Sequence, residues 1–290
     1  MAEKLQQEWH ALCIVNTRKR AQRLYERLKG EGVYHLSTTM YPAHRRRVLA
    51  EIGERLKDEN GKKCIVISTS LVEAGVDLDF ASVYRELAGV DSIIQAAGRC
   101  NRNGKRGKEE SVVRIFYWKD KEQVPEQRQQ IDTTQKLLAR GKNITALESI
   151  TEYFGELYHI KGESLNMKEI LDKFKKGDYQ FATAAGEFNL IEEKTVSVYI
   201  NREPESDALL REIRQQGLTK SRMRKAGQYC VNVYRGDGKR EMLFEKMYRA
   251  GMLEAVVADA KDFYVLTQDE QYQEDTGLKL EVELGGMMII

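Results

Sequence analysis

Hydrophobic positions along the chain fall into two regimes. Through Trp118, short apolar runs bounded by polar turns alternate with stretches whose apolar residues recur every three or four positions. Ala11–Val15, Val33–Leu36, Cys64–Ile67 and Ser82–Arg85 read as strands, and the alternating, aromatic run Val112–Trp118 as the last strand of the sheet. Three helices separate them. One is capped by Thr17, carries Ala21, Leu24 and Leu28 on its apolar face and stops at Gly30. A second opens at Pro42, with Val48, Leu49, Ile52 and Leu56 as its stripe, and a third begins at Asp91. Strands alternating with helices predict an α/β domain on a parallel sheet.

Beyond Trp118 the pattern breaks at Lys119–Glu126, which contains Pro125 and reads as a linker. Helical stretches follow at about 127–140, 146–158 and 167–175. From Gly177 the chain shifts to short β-like runs at Thr195–Ile200, Gln228–Tyr234 and Phe263–Leu266. The predicted map is an α/β lobe over 1–122, a helical linker over 123–177 and a smaller α+β domain over 178–290. The last shows no catalytic constellation. Its basic run Lys220, Arg222, Arg224, Lys225 reads as a solvated loop or a backbone-binding patch.

Composition narrows the classes. The 290 residues are 41% hydrophobic and 32% charged, as expected of a soluble globular protein of one to two domains. No long apolar run or signal-peptide core is present, so the expected setting is cytoplasmic, without a membrane. The four cysteines lie far apart with no C-x-x-C, and the four histidines are scattered, which argues against a zinc site, a disulfide framework or a metal nuclease centre. A P-loop is also missing: Gly141-Lys142-Asn143 has no preceding glycine turn and the wrong third residue. The net charge of +2 does not by itself suggest nucleic acid, although Arg18, Lys19, Arg20 and Arg23 crowd one helix start.

In open α/β sheets ligands bind beyond the carboxyl ends of the strands, which puts 68–77 and 95–102 on one rim. Ser68-Thr69-Ser70-Leu71-Val72-Glu73-Ala74-Gly75-Val76-Asp77 resembles motif V of the second RecA-like domain of superfamily two helicases. Gln95-Ala96-Ala97-Gly98-Arg99-Cys100-Asn101-Arg102 resembles motif VI. With Asp79-Phe80 and Asn103-Gly104 added, the wording is similar to the type I CRISPR-associated helicase–nuclease, densely over about residues 10–118.

The resemblance implies a RecA-like parallel sheet followed by a helical linker and an accessory C-terminal domain. It implies Arg99 and Arg102 as arginine fingers, Gln95 at the γ-phosphate or attacking water, and Gly75, Asp77 and Gly98 near the nucleotide. Strand-end and adjacent residues Asn16, Thr17, Arg18, Ser37, Thr38, Thr39, Arg45 and Thr69 would touch nucleic-acid phosphates, although each Ser and Thr also reads as a helix cap or turn. Both fingers are expected to face solvent, because the phosphate they await belongs to another lobe. One departure is Ala96, where many such helicases carry arginine.

The implied cofactor is ATP with magnesium, shared with a first RecA-like lobe that brings the P-loop and the metal-organising motif. Alone, the chain is expected to be inactive. The implied partners are that lobe with its nuclease part, single-stranded DNA and a CRISPR surveillance complex. Three readings stay open: the C-terminal half of an ATP-dependent DNA translocase, a stand-alone non-enzymatic binding subunit derived from one, or half of another superfamily two translocase.

Overall fold

The computed structural model describes residues 1–57, 61–119, 124–162, 181, 195–236, 242–258, 260 and 262–282. Two compact units emerge. One comprises Met1–Leu87, Gln95–Lys121 and Lys194–Ile290; the other comprises Ala88–Ile94 and Glu122–Glu193.

The larger unit holds a five-stranded sheet in the order β2-β3-β1-β4-β5, from Val33–Leu36, Cys64–Ser68, His10–Ile14, Ser82–Glu86 and Val112–Phe116. Every pairing is parallel. All carboxyl ends therefore reach one rim; this is the parallel α/β arrangement that the sequence pattern predicted and the RecA-like one that the resemblance implied. β1 and β3 are largely apolar runs, and β4 is buried along its whole length, because both faces of the sheet are covered. On one face Leu12, Ile14, Val66 and Val83 pack with Ile52, from helix α3 (Pro42–Lys57), and Ala96, from α4 (Val90–Ala97). On the other, Cys13, Val15, Ile67 and Tyr84 pack with Leu5, from α1 (Ala2–Gln7), and Ala21, Leu24 and Leu28, from α2 (Arg18–Leu28). Thr17 caps α2 as its spacing predicted, its hydroxyl accepting from the Arg20 amide at 3.1 Å.

A second sheet in the same unit runs β7-β6-β9-β8, from Cys230–Tyr234, Thr195–Tyr199, Phe263–Leu266 and Leu253–Ala255. One face packs on α7 (Pro204–Gln216), the other on α9 (Leu243–Arg249), with α8 (Lys220–Ala226) at the margin. Tyr41 of the first sheet's domain is buried in this second core, beside Tyr272 with ring centroids 5.3 Å apart. A short antiparallel pair, β10 (Tyr272–Gln273) and β11 (Gly277–Leu278), closes over it.

The smaller unit contains α5 (Arg128–Ala139) and α6 (Leu147–Lys161), close to the predicted helices. Its Tyr153 hydroxyl donates to Asp91 at 2.9 Å, and Gly89 lies so near that hydroxyl that a Cβ there would meet it at 2.4 Å. The helix expected near 167–175, the middle of the expected linker and the apolar tail 285–290 lie outside the described residues. Among the described residues no helix is long and apolar enough to cross a membrane.

Candidate nucleotide and nucleic-acid rim

β3 ends at Ser68 and passes through Thr69 into a tight turn at Ser70–Val72, after which Glu73 to Asp77 form a loop along the rim. Gly75 sits there at φ +71°, exposed, with open space where a side chain would stand. A left-handed conformation without a Cβ lets the backbone approach a ligand closely. The loop is pinned at its far end by Phe80, whose amide donates to the Arg99 carbonyl at 3.0 Å and whose carbonyl accepts from the Asn101 amide at 2.9 Å. The two segments that the resemblance singled out are thus laced to each other. Asn101 takes φ +49° at this crossing, which asparagine tolerates better than most residues.

The two arginines have different surroundings. Arg99 is 6% exposed, its Nε donating to the Val72 carbonyl and its Nη2 to the Glu73 carbonyl, both at 2.8 Å. The expectation that it faces solvent is corrected: its guanidinium is engaged with the turn after β3. Burial, with repulsion from Arg102 second, holds its pKa below the usual arginine range. Arg102 is exposed, with Nε donating to Asp77 Oδ1 at 2.8 Å and its amide to Asp79 Oδ1 at 2.8 Å. Arg106 also reaches Asp79, at 3.1 Å. Gln95 and Gly98 are exposed on the same segment, while Ala96 is fully buried in the core behind it. Arginine in place of Ala96 would point into that core.

The other candidates separate into two groups. Thr38 is exposed, and Asn16, Thr17, Arg18 and Arg45 are half-buried at the rim. Arg18 lies over the Tyr234 ring, 5.3 Å from its centroid, and Arg45 donates to the Met40 carbonyl at 2.7 Å, its pKa lowered by burial. Ser37, Thr39 and Thr69 are buried. Ser37 and Thr39 share a hydrogen bond of 2.6 Å, and Thr39 donates to the Thr276 carbonyl at 2.7 Å beneath the β10–β11 hairpin. Their hydroxyls therefore do not face a strand on the outside, a correction the distant hairpin imposes.

Sequence reading passed over a cluster of charges under the rim. Arg85, 1% exposed at the end of β4, pairs through Nε with Glu73 Oε1 at 2.9 Å and donates from Nη1 to Asn16 Oδ1 at 2.6 Å. Glu86 accepts from the Asn16 amide at 2.8 Å and is paired with Arg20, which is itself buried. Burial lowers the Arg85 pKa while Glu73 and Glu86 oppose that. The signal was there: Arg85-Glu86 closes a strand expected to lie inside a parallel sheet, and charges in such a strand are buried only when paired.

Comparison with known proteins places this geometry. Residues 7–105 match the family described as CRISPR-associated nuclease/helicase Cas3, C-terminal. The CRISPR-associated nuclease/helicase Cas3 of Haloferax volcanii is 44% identical over 71 residues, 24% of this chain and 8% of that protein. Its namesake in Methanothermobacter thermautotrophicus is 35% identical over 97 residues, 33% of this chain and 11% of that one. Among solved structures, T. fusca Cas3-ATP superposes over 91% of this chain and 36% of its own, with a TM-score of 0.56 at 17% identity. A structure titled CRISPR RNA-guided surveillance complex, pre-nicking, superposes over 93% and 40%, with a TM-score of 0.53 at 18% identity. The chain thus spans well under half the length of the solved chains, and its matches with the curated relatives cover about a tenth of theirs. Over residues 7–105, about a third of its length, this chain is thus similar to the C-terminal region of the CRISPR-associated nuclease/helicase Cas3 family.

Proposed function

We propose that the chain supplies the second RecA-like lobe of an ATP-dependent single-stranded DNA translocase acting in CRISPR interference. The carrying observation is Arg102: an exposed guanidinium on the rim formed by the β3 and β4 ends, three residues from a buried arginine that fixes the adjoining loop. In phosphoryl transfer, negative charge develops on the γ-phosphoryl oxygens, and an arginine delivered across a lobe interface stabilises it.

Arg102 would leave Asp77 for the phosphate when the first lobe closes, with Gln95 and Gly98 beside it and the Gly75 backbone near the nucleotide. Arg99 would keep the loop in place from behind. The P-loop and the groups organising magnesium would come from the first lobe. Single-stranded DNA would lie along Asn16, Thr17, Arg18, Thr38 and Arg45, held through its phosphates and therefore with salt-sensitive affinity. A surveillance complex would deliver that strand.

Reconstitution tests the reading. The purified chain alone should release no phosphate from ATP, with or without single-stranded DNA. With a P-loop-bearing first lobe fused or in trans, DNA-stimulated turnover should appear, and Arg102→Ala should lower it by about a thousandfold. DNA affinity should change less than about twofold, because a finger contacts charge that develops in the transition state. Near-normal turnover in that variant would refute the assignment. A reconstituted pair that binds DNA but never hydrolyses ATP would mark the chain as a binding subunit.

A further inference from the structure

The charges under the rim form a continuous path. Arg99 donates to the Glu73 carbonyl at 2.8 Å, and the Glu73 carboxylate pairs with Arg85 at 2.9 Å. Arg85 donates to Asn16 Oδ1 at 2.6 Å and to the Glu86 carbonyl at 2.8 Å. Asn16 immediately precedes the Thr17 cap of α2, and its amide is held by Glu86 at 2.8 Å. Each step is a hydrogen bond or ion pair.

Stability alone does not account for such a path. Burying ion pairs this deeply costs desolvation that close contact only partly returns, and well-packed apolar residues of similar volume commonly serve stability as well or better. What the charges add is directionality. Arg85 makes two fixed contacts to segments more than fifty residues apart in the chain, Glu73 in the loop after β3 and Asn16 at the end of β1. A guanidinium offers several donors in one rigid plane, so displacing one partner moves the plane and disturbs the other. Any shift of Arg99 would tug on the Val72 and Glu73 carbonyls and so reach Arg85.

We infer that Arg85 is a positioning residue that couples the Arg99–Arg102 segment to the strand end at Asn16–Thr17. In the functional reading above, on which the names of the two ligands rest, this links the phosphate side of the rim to the nucleic-acid side. The coupling itself is a property of the chain and can be measured without either ligand.

Hydrogen exchange in the isolated chain gives the first readout. Arg99→Ala, which touches no atom of Asn16, should speed exchange at the Asn16 amide by about fivefold or more, the lower end of typical coupling between sites, relative to the Val198 amide, which reports the loss of global stability. In a Glu73→Leu/Arg85→Met background, which removes both charges of the pair together and strands neither, the same substitution should change it less than about twofold. If that background does not fold, Arg85→Lys takes its place, since a point charge cannot hold both partners in one plane. Equal acceleration in both backgrounds, or none in either, overturns the inference.

The second readout uses the chain reconstituted with a first lobe. The ratio of ATP turnover with DNA to that without should fall about tenfold in Glu73→Leu/Arg85→Met. An unchanged ratio overturns the inference and leaves the functional reading standing. A parent pair that never turns over ATP defeats the functional reading, while the exchange result still decides the coupling.

Discussion

Arg99 and Arg102 share one short motif and differ in almost everything physical. Arg99 donates to two carbonyls, in a buried bond to Val72 and a part-buried one to Glu73, whereas Arg102 makes an exposed ion pair with Asp77. Hydrogen bonds from a charged donor contribute about 1.5–3 kcal/mol each, and exposed pairs about 0.2–1 kcal/mol. Arg99→Ala should therefore destabilise the chain by about 3–6 kcal/mol and Arg102→Ala by less than about 1 kcal/mol. Urea midpoints of the two variants check this directly, and equal losses would show that Arg99 is not the structural partner of the turn. The spacing that made both arginines visible in the sequence could not tell them apart. Which of them is buried depends on Val72 and Glu73, more than twenty residues upstream. Arg85 and Glu86 illustrate the opposite case, a charged pair in an apolar strand that announced burial without disclosing its partners.

At the level of elements, the strands and helices of the parallel sheet were legible because each is a run or period in its own residues. The β10–β11 hairpin was not, since two-residue strands leave no pattern to find. Yet this hairpin receives the Thr39 hydroxyl on the Thr276 carbonyl at 2.7 Å, hydrogen-bonds through the Leu278 amide to the Thr39 carbonyl at 2.8 Å, and receives Gln22 Nε2 on the Leu278 carbonyl at 2.9 Å. Its approach depends on Gly277, at φ +73°, where a Cβ would stand 2.3 Å from the Thr39 carbonyl oxygen. Gly277→Ala combines left-handed strain of about 1–2 kcal/mol with a backbone clash of about 1–3 kcal/mol. It should lower stability by about 2–5 kcal/mol and speed exchange of the Leu278 amide. A melting temperature within a degree of the parent's would mean that the hairpin is not seated as described.

Over the whole molecule, the residues after Lys194 fall in the same compact unit as the parallel sheet, while Glu122–Glu193 joins Ala88–Ile94 in another. Within the larger unit the docking is specific. His44, 3% exposed, meets the Tyr272 hydroxyl at 2.7 Å through Nδ1, and Tyr41 donates to Glu203 at 2.7 Å. The charged, proline-containing stretch Lys119–Glu126 spans the passage from one unit to the other. Limited proteolysis should cut there before it cuts anywhere within Cys64–Gly104, whose strands are buried in the sheet. Mass spectrometry of the first fragments decides it, and early cleavage inside 64–104 would contradict the core as drawn.

The sequence by itself determined the parallel α/β sheet, its helices and the two rim segments, because hydrophobic period, caps and short motifs are local and survive without knowledge of what lies nearby. Only the tertiary structure decided which motif arginine is exposed, which strand-end hydroxyls are covered, and that Arg85 meets both Glu73 and Asn16. Those outcomes depend on contacts between residues from about a dozen to well over two hundred positions apart in the chain, Arg85 with Glu73 and Thr39 with Thr276 among them. Burial and pairing of a polar side chain are settled by whichever distant segment arrives beside it, and no period in its own neighbourhood encodes that.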